Sequence, residues 1–218
     1  QNHSETNPMA WAKEADNDGG FLYTFPGQGP GGPRQGGARS YGSMTYTGFK
    51  SLLYAGVDRE DPRVRAAFAW IRRHWRLDSN PNMPQTRSRE GLYYYYHVFA
   101  KALRAWGEPV VTDGKGVRHN WRHELIDVLA EQVHGDGSWV NDSDRWWEGD
   151  PVLTTCYALL ALEEAVKPAP GERLRDKEGA AADAPCPVAW PVVSPGPAVC
   201  ALAGEFPWGL PWPGAVWP

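Results

Sequence analysis

Three aspartate turns at nearly even spacing limit this chain to a repeated design. Asp18-Gly19-Gly20-Phe21, Asp78-Ser79-Asn80 and Asp136-Gly137-Ser138-Trp139 lie 60 and 58 residues apart, each between an apolar helix end and a further helix. Seven residues ahead of the aspartates stand Trp11, Ile71 and Leu129, and four ahead stand Glu14, His74 and Gln132. The helices after the first two turns align as well: Tyr46, Phe49 and Leu53 match Tyr96, Phe99 and Leu103, an apolar stripe at i, i+3 and i+7. A two-helix unit near sixty residues cannot bury such a stripe alone, so successive hairpins must stack or circularise.

Helix boundaries are written into the same region. Asp61-Pro62 and Asp150-Pro151 each place a capping carboxylate before a proline at the first helical position. These pairs predict helices over about 62–75 and 151–166. Further helices are expected from Ser43 to Gly56, from Gly91 to Trp106 with Gly107 as a left-handed stop, and from near Asn120 to Gln132. With no alternating segment of strand length in competition, the class reads as all-α. The glycine- and proline-rich stretch from Pro26 to Gly37 reads as a solvated insertion in the first repeat.

The pattern breaks at Lys167. Proline recurs from Pro168 to Pro218, and after Asp183 the only charged side chain is Glu205. Residues 1–166 therefore read as the repeat domain and 167–218 as an irregular Pro/Trp-rich tail, disordered or non-native. A gene read out of its natural frame gives that bias; a polyproline II recognition segment is the alternative. A net charge of -4 gives no basis for holding a nucleic-acid backbone, and no apolar run is long enough to span a membrane. Peripheral membrane contact remains compatible with the composition. Three cysteines without metal-ligand spacing leave the compartment unspecified.

Gln132, Gly137 and Trp139 stand in the order Q-x4-G-x-W, which resembles the QW repeat of squalene and hopene cyclases, with Asp127 where that family's upstream aromatic would be. Asp18-Gly19-Gly20-Phe21, followed by Ser43-Met44-Thr45 and Leu52-Leu53-Tyr54-Ala55-Gly56, is similar to repeats shared by these cyclases and the protein prenyltransferase β subunits. The likeness covers residues 10 to 166. It implies an α/α toroid, with inner helices around a central cavity, outer helices wrapped about them, and Gln and Trp locking adjacent hairpins. About two and a half repeats are present where such a ring takes roughly five to six pairs, so a partial toroid that exposes an apolar face and self-associates is expected.

The catalytic signatures of those families are missing. No Asp-x-Asp-Asp occurs; in Asp58-Arg59-Glu60-Asp61, the nearest acidic run, Asp61 reads as a helix cap. Thr154 of Thr154-Thr155-Cys156-Tyr157 stands where the prenyltransferase zinc histidine would be, and threonine cannot replace an imidazole ligand. His119 and His123 have the four-residue spacing of metal ligands on a helix, but on an outer helix they read as surface groups. Asp142, Asp144, Glu148 and Asp150 crowd a turn-rich loop where solvated charge and capping are the ordinary outcomes, and Cys156 reads as a core residue. No metal or cofactor is implied.

The strongest chemical feature is Tyr93-Tyr94-Tyr95-Tyr96-His97 on an inner-type helix. Four consecutive aromatics cover roughly 300° of helix circumference, so at least one ring leaves the core. Tyr93, Tyr94 and His97 are the expected lining of an aromatic cavity, with Tyr96 and Phe99 on the packing stripe; the rings would otherwise only pack inner against outer helices. The expected function is binding of an isoprenoid or other apolar ligand. Cyclase-like isomerase activity would follow only if a missing half supplied the acid. The competing readings are a non-catalytic scaffold or protein-binding toroid, and a carbohydrate-active α/α domain with two carboxylates on one cavity.

Overall fold

The computed structural model describes residues 1–14, 17–23 and 39–168, within the first of two compact units, Gln1–Leu174. The insertion from Pro26 to Gly37, the side chain of Glu14, and the tail beyond Pro168 with Cys186 and Cys200 lie outside the described residues. Mostly helical, the chain runs α1 (Ala10–Glu14), α2 (Gly42–Tyr54), α3 (Pro62–Arg73), α4 (Leu92–Trp106), β1 (Val110–Thr112), β2 (Arg118–Asn120), α5 (Trp121–Gln132) and α6 (Pro151–Val166).

The expected caps form. Asp61 accepts from the Arg63 N–H at 2.8 Å and Asp150 from the Val152 N–H at 2.8 Å; a further cap, not singled out in the sequence, is Asn120, which accepts from the His123 N–H at 3.3 Å at the start of α5. Gly107 ends α4 at φ +82°, where its N–H returns to the Leu103 carbonyl.

The all-α expectation needs one correction: a small antiparallel hairpin joins α4 to α5, pairing Val110 with Asn120, Val111 with His119 and Thr112 with Arg118. Its tip closes on Asp113, whose carboxylate accepts from the N–H groups of Lys115 and Val117 at 2.8 Å each. Asp113-Gly114 was the available signal. Three-residue strands are too short to register as an alternating period, and the pair is held by burying Val111 in the helical core.

The second helices of the hairpins lie side by side, with α4 packed on both α2 and α6, while α3 packs on α2 and α5 packs on α4 and α6. Between them sits one core in which Trp70, Tyr46, Phe49, Tyr95, Tyr96, Phe99, Leu103, Trp121 and Leu125 are buried.

Repetition extends to single hydrogen bonds. The third residue after the turn aspartate donates its N–H to a threonine hydroxyl on the helix that follows: Phe21 to Thr45 at 3.0 Å and Trp139 to Thr155 at 3.1 Å. In the middle copy that residue is Pro81, which has no N–H, and the threonine position is Tyr95. Asp18 is the most heavily used of the three aspartates, accepting from the Gly20 N–H at 3.0 Å, from Asn2, from the Ser40 hydroxyl and from the buried Trp70 indole at 3.0 Å. Beside it Gly19 takes φ +84°, and a Cβ there would lie 2.5 Å from the Ala66 carbonyl oxygen, so this turn requires glycine.

Candidate functional site

The residues resembling the QW repeat join neighbouring hairpins. Gln132, ending α5, donates to the Tyr96 hydroxyl and accepts from the Tyr93 hydroxyl, each at 3.1 Å, so its partners are side chains of α4. The Trp139 indole donates to the Leu129 carbonyl at 2.8 Å, one of the orphaned acceptors at the α5 end. Gly137 turns the chain between them at φ +83°.

These bonds sort the tyrosine run. Tyr93 and Tyr96 point to α5, while Tyr95 donates to the Arg76 carbonyl at 2.8 Å. Tyr93 is buried and its hydroxyl is pushed up to about 12, by burial first. Tyr93, expected from sequence among the cavity-lining rings, lies buried in the seam between hairpins with its hydroxyl on Gln132. A helix residue is carried about 100° from its neighbour, which leaves Tyr94 and His97 on the side away from α5.

There they meet the flanking second helices. Tyr94 lies 3.4 Å from the Thr47 hydroxyl of α2, and its ring is edge-on to Tyr157 of α6 at 5.8 Å; His97 lies 5.8 Å from the same Tyr157 ring. Tyr41, just before α2, joins the group, its hydroxyl pushed up to about 12 by burial, with Tyr23 and Tyr94 adding and Arg87 opposing. Trp146 packs edge-on to Tyr23 at 6.1 Å.

Toward the other end of the helices the face becomes charged. Lys50 and Lys101 flank His97, and Arg104 of α4 binds Glu164 of α6 at 2.8 Å. Burial, then repulsion from Lys101, lowers the Lys50 ammonium from its ordinary value. Burial, followed by Lys101 and Lys50 and opposed by Glu164, brings His97 down to about 4. Its Nδ1 is buried without a hydrogen-bond partner among the described residues.

The His97 shift has a checkable sign. Between pH 6.5 and about 4 the unfolded chain binds a proton that the folded chain refuses. The contribution is therefore complete above 6.5 and lost as pH falls through 4. The His97 imidazole should stay neutral at pH 5.5 in an NMR titration, and His97→Gln should flatten the loss of melting temperature between pH 6.5 and 4. A midpoint near 6.5 would contradict the half-buried, cation-flanked placement.

Glu148 emerges from the acidic loop as a buried residue. Its carboxylate accepts from the Tyr94 N–H at 2.8 Å, the Tyr93 N–H at 3.2 Å and the Asn141 amide at 2.6 Å. Burial pushes this carboxyl up, and those donors pull it back. A group that spends both oxygens on N–H donors is a cap for α4, whose own N-cap is Gly91 with no side chain to offer. Asn80 does the same for α2, accepting from the Ser43 N–H at 3.0 Å. In each case the turn after the next helix caps the preceding second helix, a pairing no local spacing reveals. To reach this position the chain bends through Trp146 and Trp147, both at positive φ, leaving Trp147 exposed.

The other residues singled out from sequence fall elsewhere. Asp142 is exposed, 3.6 Å from Arg89, and Asp144 is exposed. His119 lies on β2, not on a helix: Nδ1 is 2.8 Å from Glu124, Nε2 is 3.5 Å from Asp113, and the ring stacks on Trp75. His123 is exposed on α5, and no group of three His, Cys, Asp or Glu that could hold a metal occurs among the described residues. Thr154 is buried and donates to the Trp139 carbonyl. Cys156, read from sequence as core, is exposed on α6. No helix of the described residues is long and apolar enough to cross a membrane.

Compared with known proteins, the chain matches no family model, no curated protein and no solved structure.

Proposed function

We propose that the described hairpins are an arc of an α/α toroid whose second helices present a ligand-binding face. The ligand is an isoprenoid or a similar long apolar molecule carrying an acidic end. The observation that supports this reading is the division of the α2–α4–α6 face. Tyr94, Tyr157 and Tyr41 supply aromatic surface at one end, and Lys50 and Lys101, without ion-pair partners among the described residues, supply positive charge at the other. Aromatic faces suit an unsaturated hydrocarbon, and partly desolvated ammonium groups suit a phosphate or carboxylate. His97, neutral at physiological pH, keeps the middle of the face uncharged. Glu148 is committed to the α4 terminus and offers no acid for cyclisation. The reading proposed for this face is accordingly ligand binding.

A polyprenyl phosphate titrated against intrinsic fluorescence tests the reading. Tyr94→Leu with Tyr157→Leu should weaken binding at least about fivefold, since two ring contacts contribute about 0.5–1.5 kcal/mol each. Lys101→Ala should remove the preference for the phosphate over the corresponding alcohol. Equal binding by all three proteins would reject the face as the site.

A further inference from the structure

The hydrogen bonds to Thr45 and Thr155 put α2 and α6 in one register, and the Tyr46–Tyr96 and Phe49–Phe99 matches bring in α4. Leu92, Tyr96, Phe99, Leu103 and Trp106 of α4 then correspond to Val152, Cys156, Leu159, Glu163 and Val166 of α6. All five α4 residues are buried, whereas Val152 is 71% exposed, Leu159 53% and Val166 69%, and Cys156 is exposed. Leu160 beside them is also exposed.

What covers this stripe in the earlier copies is on view. Phe49 of α2 stacks on Phe68 of α3 at 5.7 Å. Phe99 of α4 meets Trp121 of α5 at 6.3 Å, and Tyr96 of α4 binds Gln132 of α5. In both copies the first helix of the next hairpin is part of that cover, joined on α4 by Phe68 of α3 against Trp106 and by Tyr46 of α2 and Trp75 against Phe99. That first helix is an amphipathic helix of twelve residues that turns Val64, Ala67 and Ile71, or Trp121, Leu125 and Leu129, inward. We infer that the Val152–Cys156–Leu159–Val166 stripe of α6 is a docking surface for a partner helix of the α3 and α5 kind: about three turns long, with aliphatic and aromatic side chains along one side and charge on the other. Apolar surface along a stripe of this length is costly to leave in water even with Glu163, ion-paired to Lys167, interrupting it before Val166. The inference rests on the repeat register and stands whether or not the opposite face binds a ligand.

Cys156, inside the stripe, is a built-in reporter. In the full chain carrying Cys186→Ser and Cys200→Ser, its rate of maleimide labelling reads coverage of the face. The probe is a synthetic peptide of residues 57–75, which contains α3 and its Asp61-Pro62 start. At about ten times its dissociation constant the peptide should slow labelling about tenfold. Leu159→Glu should remove the protection while leaving the circular dichroism spectrum and melting temperature unchanged. Absence of protection at millimolar peptide, or protection that survives Leu159→Glu, overturns the inference. Protection that rises with protein concentration alone, alongside a dimer in sedimentation, also overturns it, by making a second copy the occupant.

Discussion

Phe99→Ala should lower the free energy of unfolding by about 4 kcal/mol and the melting temperature by about 12 °C. The ring is buried, with Tyr46 at 5.2 Å, Trp75 at 5.3 Å, Tyr95 at 5.8 Å and Trp121 at 6.3 Å. Those neighbours come from α2, the segment after α3, α4 and α5, so one truncation opens a cavity where successive hairpins meet and no single helix can shift to fill it. Leu159→Ala removes a similar volume from the exposed side of α6 and should cost under about 1 kcal/mol. Chemical denaturation of the two variants checks the contrast. A loss below about 1 kcal/mol at Phe99 would mean that the hairpins do not share a cooperative core.

Glu148→Ala is expected to cost about 3 kcal/mol despite altering a residue outside every helix. It removes the acceptor for the Tyr93 and Tyr94 N–H groups and for the Asn141 amide, in a place that water does not reach. Glu148→Gln keeps one acceptor oxygen and should fall between. Hydrogen exchange gives the more specific readout, because the amides of Tyr93 and Tyr94 should lose protection before the centre of α4 does. Unchanged exchange at those two amides would remove the capping role even if overall stability fell.

The two variants divide what was legible. Phe99 could be read in advance as a core residue because it shares the i, i+3, i+7 stripe of Tyr96 and Leu103 with the equivalent residues of α2, and that period marks one apolar face of a helix. Glu148 could not, since it and the helix end it caps are 55 residues apart. In the tyrosine run, sequence could require that four adjacent rings diverge, but not which ring meets which neighbour. Tyr93 is drawn to the seam by Gln132 and Tyr94 is left facing Tyr157. The hairpin from Val110 to Asn120 escaped because its short strands depend on Val111 entering a core that other segments build. The exposure of Cys156 was hidden for the same reason: its position is equivalent to the buried Tyr96, and only the absence of a covering helix among the described residues separates them.

By itself the sequence determined the helical units, their caps, their repeat and the residues of the shared stripe, because each follows from groups a few residues apart whose geometry the backbone imposes. Only the tertiary structure decided which tyrosines face away from the seam, which carboxylate closes a distant helix end, and which copy of the stripe is left uncovered among the described residues. Those outcomes depend on desolvation and on partners brought in from remote segments, quantities that exist once the hairpins have packed.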